Sequence, residues 1–516
     1  MLAVGPVVSL DARRGVVVAE VARRTTPDQA SEICERGAAR AADLDRLGRR
    51  GRAAMLAAMA EALEARRAEI VSLADMETAL GAGRLDGELT RTCAQLRFMA
   101  EVITDGAYLE AVLDHARQTV TGQQPDIRRM LQPLGLVAVF GASNFPLAFS
   151  VPGGDTASAL AAGCPVVAKV HDAHPATSVA CAEALREGAK RAGVDFPVVS
   201  LVFGEEAGVA VVKHSAVRAV GFTGSLKAGR YLFDIANQRP DPVPFYGELG
   251  ALNPVVVGPA AAEARAGDIA SGLATSYTLG VGQFCTKPGL VLLPEGSGGD
   301  AVRDLLAEAV RAMGPGLMLS ERIAAAFVAG STTLRELAGV RVVATGGVPD
   351  AGASAGWWGV PVVLEAGPGP MSEPMLQECF GPLIILQRYS GAAHLSELVK
   401  ALEPALTATF HADAADEALL DGVLGQLARK VGRLVWNGYP TGLAVTWATH
   451  HGGPYPATTA PLHTSVGAAA IKRWLQPVSY QNFPSHLLPP ELQDAAPGGV
   501  AVLRRVDSRL TLPAHS

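Results

Sequence analysis

Apolar positions change their period along this chain. From Asp28 to Leu80 they recur at helical spacing, as in Met55, Met59 and Leu63, in an Ala-, Arg- and Glu-rich background, which predicts two or more long helices. From Gly135 they gather instead into short unbroken runs, at residues 135–140, 165–169, 197–202 and 219–222, with helical stretches between them. A strand with one wet face alternates, whereas a strand covered on both faces does not, so these runs predict a parallel sheet with crossover helices. A second set at 290–293, 340–343, 361–364 and 383–387 predicts a second α/β domain. Residues 119–129 are polar and suit an exposed strand or arm. From about Thr449 the chain is rich in Pro, Gly, Thr and Ser, which suits an arm packed on a neighbouring subunit. The apolar start, Met1 to Leu10, has no basic segment before it and meets Asp11 at once, so it reads as a first strand and not as a signal peptide.

Length and charge narrow the picture. A chain of 516 residues exceeds one ordinary core and calls for two or three domains. Its 49% hydrophobic and 18% charged composition is that of a globular protein, and a net charge of -6 gives no footprint for nucleic acid or an anionic membrane. No apolar run reaches the roughly 18 residues of a membrane span. Cys34, Cys93, Cys164, Cys181, Cys285 and Cys379 lie far apart without metal-ligand spacing, which argues against a disulfide framework and for a reducing, cytoplasmic setting. Small molecules are the expected ligands. His171 and His174 have metal-like spacing, but Asp172 is their sole acidic neighbour, so they read as structural and no metal is expected.

Chemistry concentrates in a few segments. Cys285 stands in the Gly-rich run 280–289, where a thiol can approach a small electrophile, though a lone cysteine is as well read as a buried structural thiol. Glu248, with Gly247 and Gly250 around it, is a candidate general base; alone, such a residue is more often surface or an ion-pair partner. Asn144 follows an apolar strand, where its amide can donate to an oxyanion or merely cap a turn. There is no complete G-x-G-x-x-G. Gly224 and Gly229 bracket a G-x-x-x-x-G turn that contains Ser225 and feeds a helix, offering N–H groups to a pyrophosphate. Glu378 and Phe380 lie before Gly381-Pro382, and without further context would be one more loop.

Taken in this chain order, the segments around Asn144, Glu248 and Cys285 resemble the NAD(P)-dependent aldehyde dehydrogenase superfamily, from the first helix to the last thirty or so residues. The resemblance implies an α/β fold with two Rossmann-like parallel-sheet domains and a small oligomerisation arm. Residues 1–117 and 133–247 would bind cofactor, 248–447 would form the catalytic domain, and 118–132 with 448–516 the arm and C-terminal tail. It implies Cys285 as nucleophile, Glu248 as the base that activates water, and Asn144 with the Cys285 N–H as oxyanion donors. Lys169, Gly204, Gly208, Gly224, Ser225, Gly229, Phe145, Glu378 and Phe380 would bind the cofactor, although Leu226-Lys227 replace the family's usual Thr-Glu. A carboxylate at Asp172 would accept from a free ribose 2′-OH and repel a 2′-phosphate, favouring NAD over NADP. A homodimer or homotetramer is implied. Acylating relatives generally lack the glutamate, so its presence argues for water as the acyl acceptor.

The stretches 84–97, 153–163, 452–459, 464–467 and 477–481 look like the branch of α-ketoglutarate semialdehyde (2,5-dioxopentanoate, or 2,5-dioxovalerate) dehydrogenases, which also holds oxidisers of long-chain fatty aldehydes. The product would be 2-oxoglutarate. One segment departs: Ala460-Pro461-Leu462-His463 stands where relatives usually carry an arginine, which favours an apolar aldehyde unless Arg91, Arg97 or His463 takes over the carboxylate. Trp447, near the expected tunnel mouth, suits either substrate. A Cys-dependent hydrolase or acyltransferase without nicotinamide is the rival from another class; it leaves the Gly224 loop, Lys169 and Glu378 without a purpose.

Overall fold

A computed structural model describes residues 5–349, 356–495 and 502–511. Two parallel sheets dominate it. In the first, the strands run in the order Phe245–Glu248, Ala219–Thr223, Val137–Phe140, Val166–Val170, Val199–Phe203, all parallel. Chain order reverses between Val137–Phe140 and Ala219–Thr223, so a crevice opens there at the carboxyl ends of the strands. The long helices Gly48–Ala65, Ala82–Asp105 and Pro175–Arg191 bury Met55, Met59, Leu89, Leu96 and Leu185 in one core with Val139, Val166 and Ala168. A second core with Ala138, Val167, Val202 and Val220 covers the opposite face. Both faces are dry, which is the reason the apolar runs do not alternate.

The second sheet has seven strands, in the order Val340–Thr345, Val362–Ala366, Leu383–Tyr389, Leu290–Pro294, Val255–Val257, Ala405–His411, Val431–Trp436. Again two cores sandwich it. Val340–Thr345 pairs antiparallel at the edge and is largely exposed, unlike its parallel neighbours. The pattern of apolar runs does not disclose Val255–Val257, which is too short, or Ala405–His411, where buried Thr407 and Thr409 interrupt the run.

A third, five-stranded sheet joins Leu475–Gln481, Ile127–Pro133, Ala111–Asp114, Arg504–Val506 and Arg509–Thr511. Ala111–Asp114 lies in the stretch expected to bind cofactor, yet pairs here, because Val112 and Leu113 register with Arg129 and Arg128. The stretch after Thr449 also divides. Leu475–Gln481 enters this arm sheet, whereas Thr458 and Thr459 lie along the strand Phe245–Glu248 through Thr459 N to Gly247 O, 3.0 Å, and Gly247 N to Thr459 Oγ1, 2.8 Å. The expected N-terminal strand is Pro6–Asp11, paired antiparallel with Val16–Arg23. No helix among the described residues is long and apolar enough to cross a membrane.

Candidate active site

The site forms where the chain leaves the first sheet for the second. Glu248 is the last residue of Phe245–Glu248, and residues 249–254 cross to Val255–Val257. Asn253, at φ 51°, turns within that crossing and organises it. Its Nδ2 donates to the carbonyls of Cys285 at 2.8 Å and Lys287 at 3.1 Å, and its Oδ1 accepts from Thr407 N at 3.1 Å. The base segment and the nucleophile loop are therefore held by one buried amide. On the far side of the loop, Lys287 is fully buried and donates through Nζ to Cys379 O and Leu383 O, both at 2.9 Å. Gly282, at φ 67°, lets the loop approach the Gly381 backbone so closely that a Cβ would lie 2.3 Å from it. Asn144 is buried, and its Nδ2 donates to Gln283 O at 2.8 Å, leaving the second amide hydrogen free. The loop after Val137–Phe140 thus reaches the loop that carries Cys285.

Cys285 Sγ lies 3.7 Å from His451 Nε2, and that nitrogen lies 2.9 Å from Glu248 Oε1. Ser465 Oγ donates to Glu248 Oε2 at 2.7 Å, and the His451 N–H donates to Thr464 Oγ1 at 2.8 Å. The donor atoms of Glu248, Cys285 and His451 all fall within 4.8 Å of one another. Burial first, then the Glu248 carboxylate and its hydrogen bond, push the Cys285 thiol well above the ordinary cysteine range. Burial would raise Glu248 as well, but the charge and hydrogen bond of His451, with hydrogen bonds from Ser465 and Cys285, hold it below the usual carboxylate value. The resting pair is a thiol beside an ionised carboxylate, which is the arrangement a proton acceptor for that thiol requires. A cavity of about 20 Å³, bounded by Tyr246, Glu248, His451, Ser465 and Arg473, gives room for one water beside the base.

The cofactor candidates lie around the crevice. Lys169, in Val166–Val170, pairs through Nζ with Asp172 Oδ1 at 3.3 Å, and Asp172 is exposed. Gly204 and Gly208 open the helix Glu205–Lys213, and Gly208 packs on Phe140 and Lys169. Ser225 caps Leu226–Asn237 by accepting from Ala228 N at 3.3 Å, and Gly224 N donates to Glu248 O at 3.1 Å. Gly229 packs on Leu249 beside the base. Gly250 leaves space for Glu378, whose Oε2 would lie 2.3 Å from a Cβ at that position. Burial pushes the Glu378 carboxyl up to about 7, against the opposing charge of Lys287 and a hydrogen bond from the Ala251 N–H. Phe380, half-buried, follows on the same turn. A glycine-bounded helix N-terminus at a reversal of strand order, together with a half-buried carboxylate at Gly250 that can accept from sugar hydroxyls, fits a dinucleotide. Phe145 stands edge-on to Phe149 and Phe284, with the Arg84 guanidinium 5.1 Å from its ring centre. His171 and His174 stack on each other, and His174 Nε2 lies 3.0 Å from Ala142 O.

Reading the sequence did not find His451 or Ser465 as site residues. The available signal was their position, at either end of the subfamily-like stretches 452–459 and 464–467. Their contact with Glu248 became visible once the structure laid part of residues 451–465 beside that carboxylate.

The sequence profile of the "Aldehyde dehydrogenase family" matches residues 7–454. Alpha-ketoglutaric semialdehyde dehydrogenase 2 of Azospirillum brasilense is 47% identical over 465 residues, spanning 88% of each chain. Alpha-ketoglutaric semialdehyde dehydrogenase of Acinetobacter baylyi is 38% identical over 467 residues, spanning 89% of this chain and 87% of its own. Among solved structures, PnpE in complex with nicotinamide adenine dinucleotide superposes with a TM-score of 0.77 at 21% identity, over 93% of this chain and 94% of that one.

Proposed function

The chain belongs to the aldehyde dehydrogenase family, whose members oxidise aldehydes to acids with NAD(P), and from that premise we propose 2,5-dioxopentanoate as its substrate, 2-oxoglutarate as its product and NAD as its preferred cofactor. In this reading Cys285 is the nucleophile. Glu248 accepts the thiol proton as sulfur adds to the aldehyde carbon. The free hydrogen of the Asn144 amide and the Cys285 N–H receive the oxygen that becomes negative. The bound nicotinamide supplies the hydride acceptor. What remains on Cys285 is a thioester, and Glu248, once it has released the thiol proton to solvent and is steadied by His451 and Ser465, takes a proton from the water that hydrolyses it, while the departing sulfur leaves as the Cys285 thiolate. The observation that carries this reading is the buried Glu248 carboxylate, held by His451 and Ser465 beside both the thiol and a cavity of water size.

Lys169 and Asp172 would meet the adenosine ribose, the Gly224–Ser225 turn the pyrophosphate, and Glu378 the nicotinamide ribose, with the first sheet as cofactor-binding domain and the second as catalytic domain. The strand Leu475–Gln481 leaves one side unpaired at the edge of the arm sheet among the described residues, and a second copy of the chain would cover it in a homodimer or homotetramer. The free cysteines fit a reducing compartment such as the cytoplasm.

The test is NADH formation by the purified protein with 2,5-dioxopentanoate, succinate semialdehyde and straight-chain aldehydes, each with NAD and with NADP. We expect the largest kcat/KM for 2,5-dioxopentanoate with NAD. A larger value for long apolar aldehydes overturns the substrate, and preference for NADP overturns the part given to Asp172.

A further inference from the structure

An aldehyde acid needs a cation at some distance from the thiol, and the segment 460–463 holds no arginine. The helix Ala82–Asp105 presents Arg84, Glu88 and Arg91 at successive turns toward the cleft. Two of them are partly occupied, with Arg84 NH1 and Glu88 Oε2 left without a hydrogen-bond partner. Arg84 donates to Asn144 O at 2.6 Å and lies over the Phe145 and Phe284 rings, at 5.1 and 4.9 Å. Glu88 Oε1 accepts from the N–H groups of Leu147 and Ala148, at 2.8 and 3.0 Å. Arg91 differs. Its guanidinium lies 5.3 Å from the centre of the Phe149 ring, and its Nε and NH2 are buried without a hydrogen-bond partner. Glu88 is the opposite charge that acts on it most strongly, yet the two form no ion pair within 4.0 Å among the described residues. Phe149 in turn lies 6.3 Å, ring to ring, from His451, which touches the thiol, and the charge of Arg91 acts on both Cys285 and Glu248.

Nε and NH2 form the edge of a guanidinium that donates to both oxygens of one carboxylate. The other candidates have that edge engaged or lack one. Arg97 grips Glu64 through NH1 and NH2, at 2.7 and 2.6 Å, on the protein surface. His463, an imidazole without such an edge, packs on Tyr246, at 5.0 Å, and lines the small cavity beside Glu248. Arg433, also within electrostatic reach of Cys285, donates to Gly442 O and Pro440 O through NH1 and NH2, which leaves Nε alone without a partner.

We propose that Arg91 is the specificity-determining residue that binds the carboxylate of an aldehyde acid whose aldehyde carbon sits at Cys285. This rests on the aldehyde oxidation described above and narrows its substrates to short ω-aldehyde acids. The experiment compares each acid with its uncharged twin, 5-oxopentanoate with pentanal and succinate semialdehyde with butanal, and adds 2,5-dioxopentanoate, in wild type, Arg91→Gln, Arg91→Lys and Arg97→Gln. In wild type the acids are preferred; in Arg91→Gln the acid-to-twin ratio of kcat/KM falls by roughly 100-fold, mostly through KM, as removal of one partner from a buried charge pair predicts. Arg91→Lys recovers part of the ratio, and Arg97→Gln keeps it. Equal loss on acid and twin would mean that Arg91 serves only Glu88 or the thiol and would overturn the proposal. So would a wild type that prefers no acid over its twin. If wild type prefers an acid other than 2,5-dioxopentanoate and Arg91→Gln loses that preference, the assignment of Arg91 stands and the named substrate fails.

Discussion

The two walls of the cleft are built differently. Around the cofactor candidates of the first sheet, side chains bond within their own loop: Ser225 caps the helix it begins, and Lys169 pairs with Asp172 on the next bend. Around the catalytic candidates, on the second-sheet side, bonds join loops far apart in the chain: Asn253 to Cys285 and Thr407, Lys287 to Cys379 and Leu383, His451 to Glu248, and Asn144 to Gln283. A local bond holds one loop in shape and lets it adapt, whereas a bond between distant loops fixes their separation. The difference follows the chemistry. Phosphate and ribose need accessible donors and acceptors, while a thiol, a base and an oxyanion donor work only at set distances.

The sharpest way to break this comparison is to remove one polar group from each wall. Glu248→Gln deprives the thiol of its proton acceptor and the thioester of its water activator, so kcat should fall by roughly 10³. Ser225→Ala removes only a local cap, and kcat should stay within about threefold, since such a cap contributes only ~1 kcal/mol to helix stability. Stopped-flow NADH absorbance on both variants decides, and comparable losses would erase the distinction.

Stability gives the next largest contrast. Lys287→Met strands two buried carbonyls, and denaturant unfolding should show a loss of about 3 kcal/mol. Asp172→Ala, on the exposed bend of the other wall, should cost less than ~0.5 kcal/mol.

The smallest effect concerns pH. Glu378 stands between the walls with its carboxyl raised from 4.5 to about 7. Protonated, it cannot accept from both hydroxyls of a ribose. NAD affinity should therefore rise as pH climbs toward 7 and level off above it, with proton release in calorimetry, and Glu378→Gln should flatten the profile. For the free protein the sign is reversed: the folded state holds this proton longer than the unfolded chain does, so the contribution of Glu378 to stability declines from about pH 4.5 to 7.

What the sequence disclosed follows the same division. Strands covered on both faces read as unbroken apolar runs, and the Gly224 turn announces itself through glycines that its own backbone needs. Such features depend on neighbours in the chain. Cys285, Glu248 and Asn144 were legible because each lies in a distinctive local segment. His451 and Ser465 were not, because their contact with Glu248 depends on where a segment some 200 residues away comes to rest along Phe245–Glu248. Arg91 could be named among carboxylate candidates, but telling it from Arg97 required seeing which of the two already holds a glutamate. Ala111–Asp114 could not be placed from the sequence, since four residues carry too little pattern to declare a partner.

Asn253 ties the carbonyl behind the nucleophile to the segment that follows the base. Its effect is that of two marks cut on one ruler. Thiol and carboxylate are referred to the same amide, so a displacement common to both cancels from the gap between them. The small distance on which the chemistry depends is set inside the cleft, independently of how a large ligand is held at its rim.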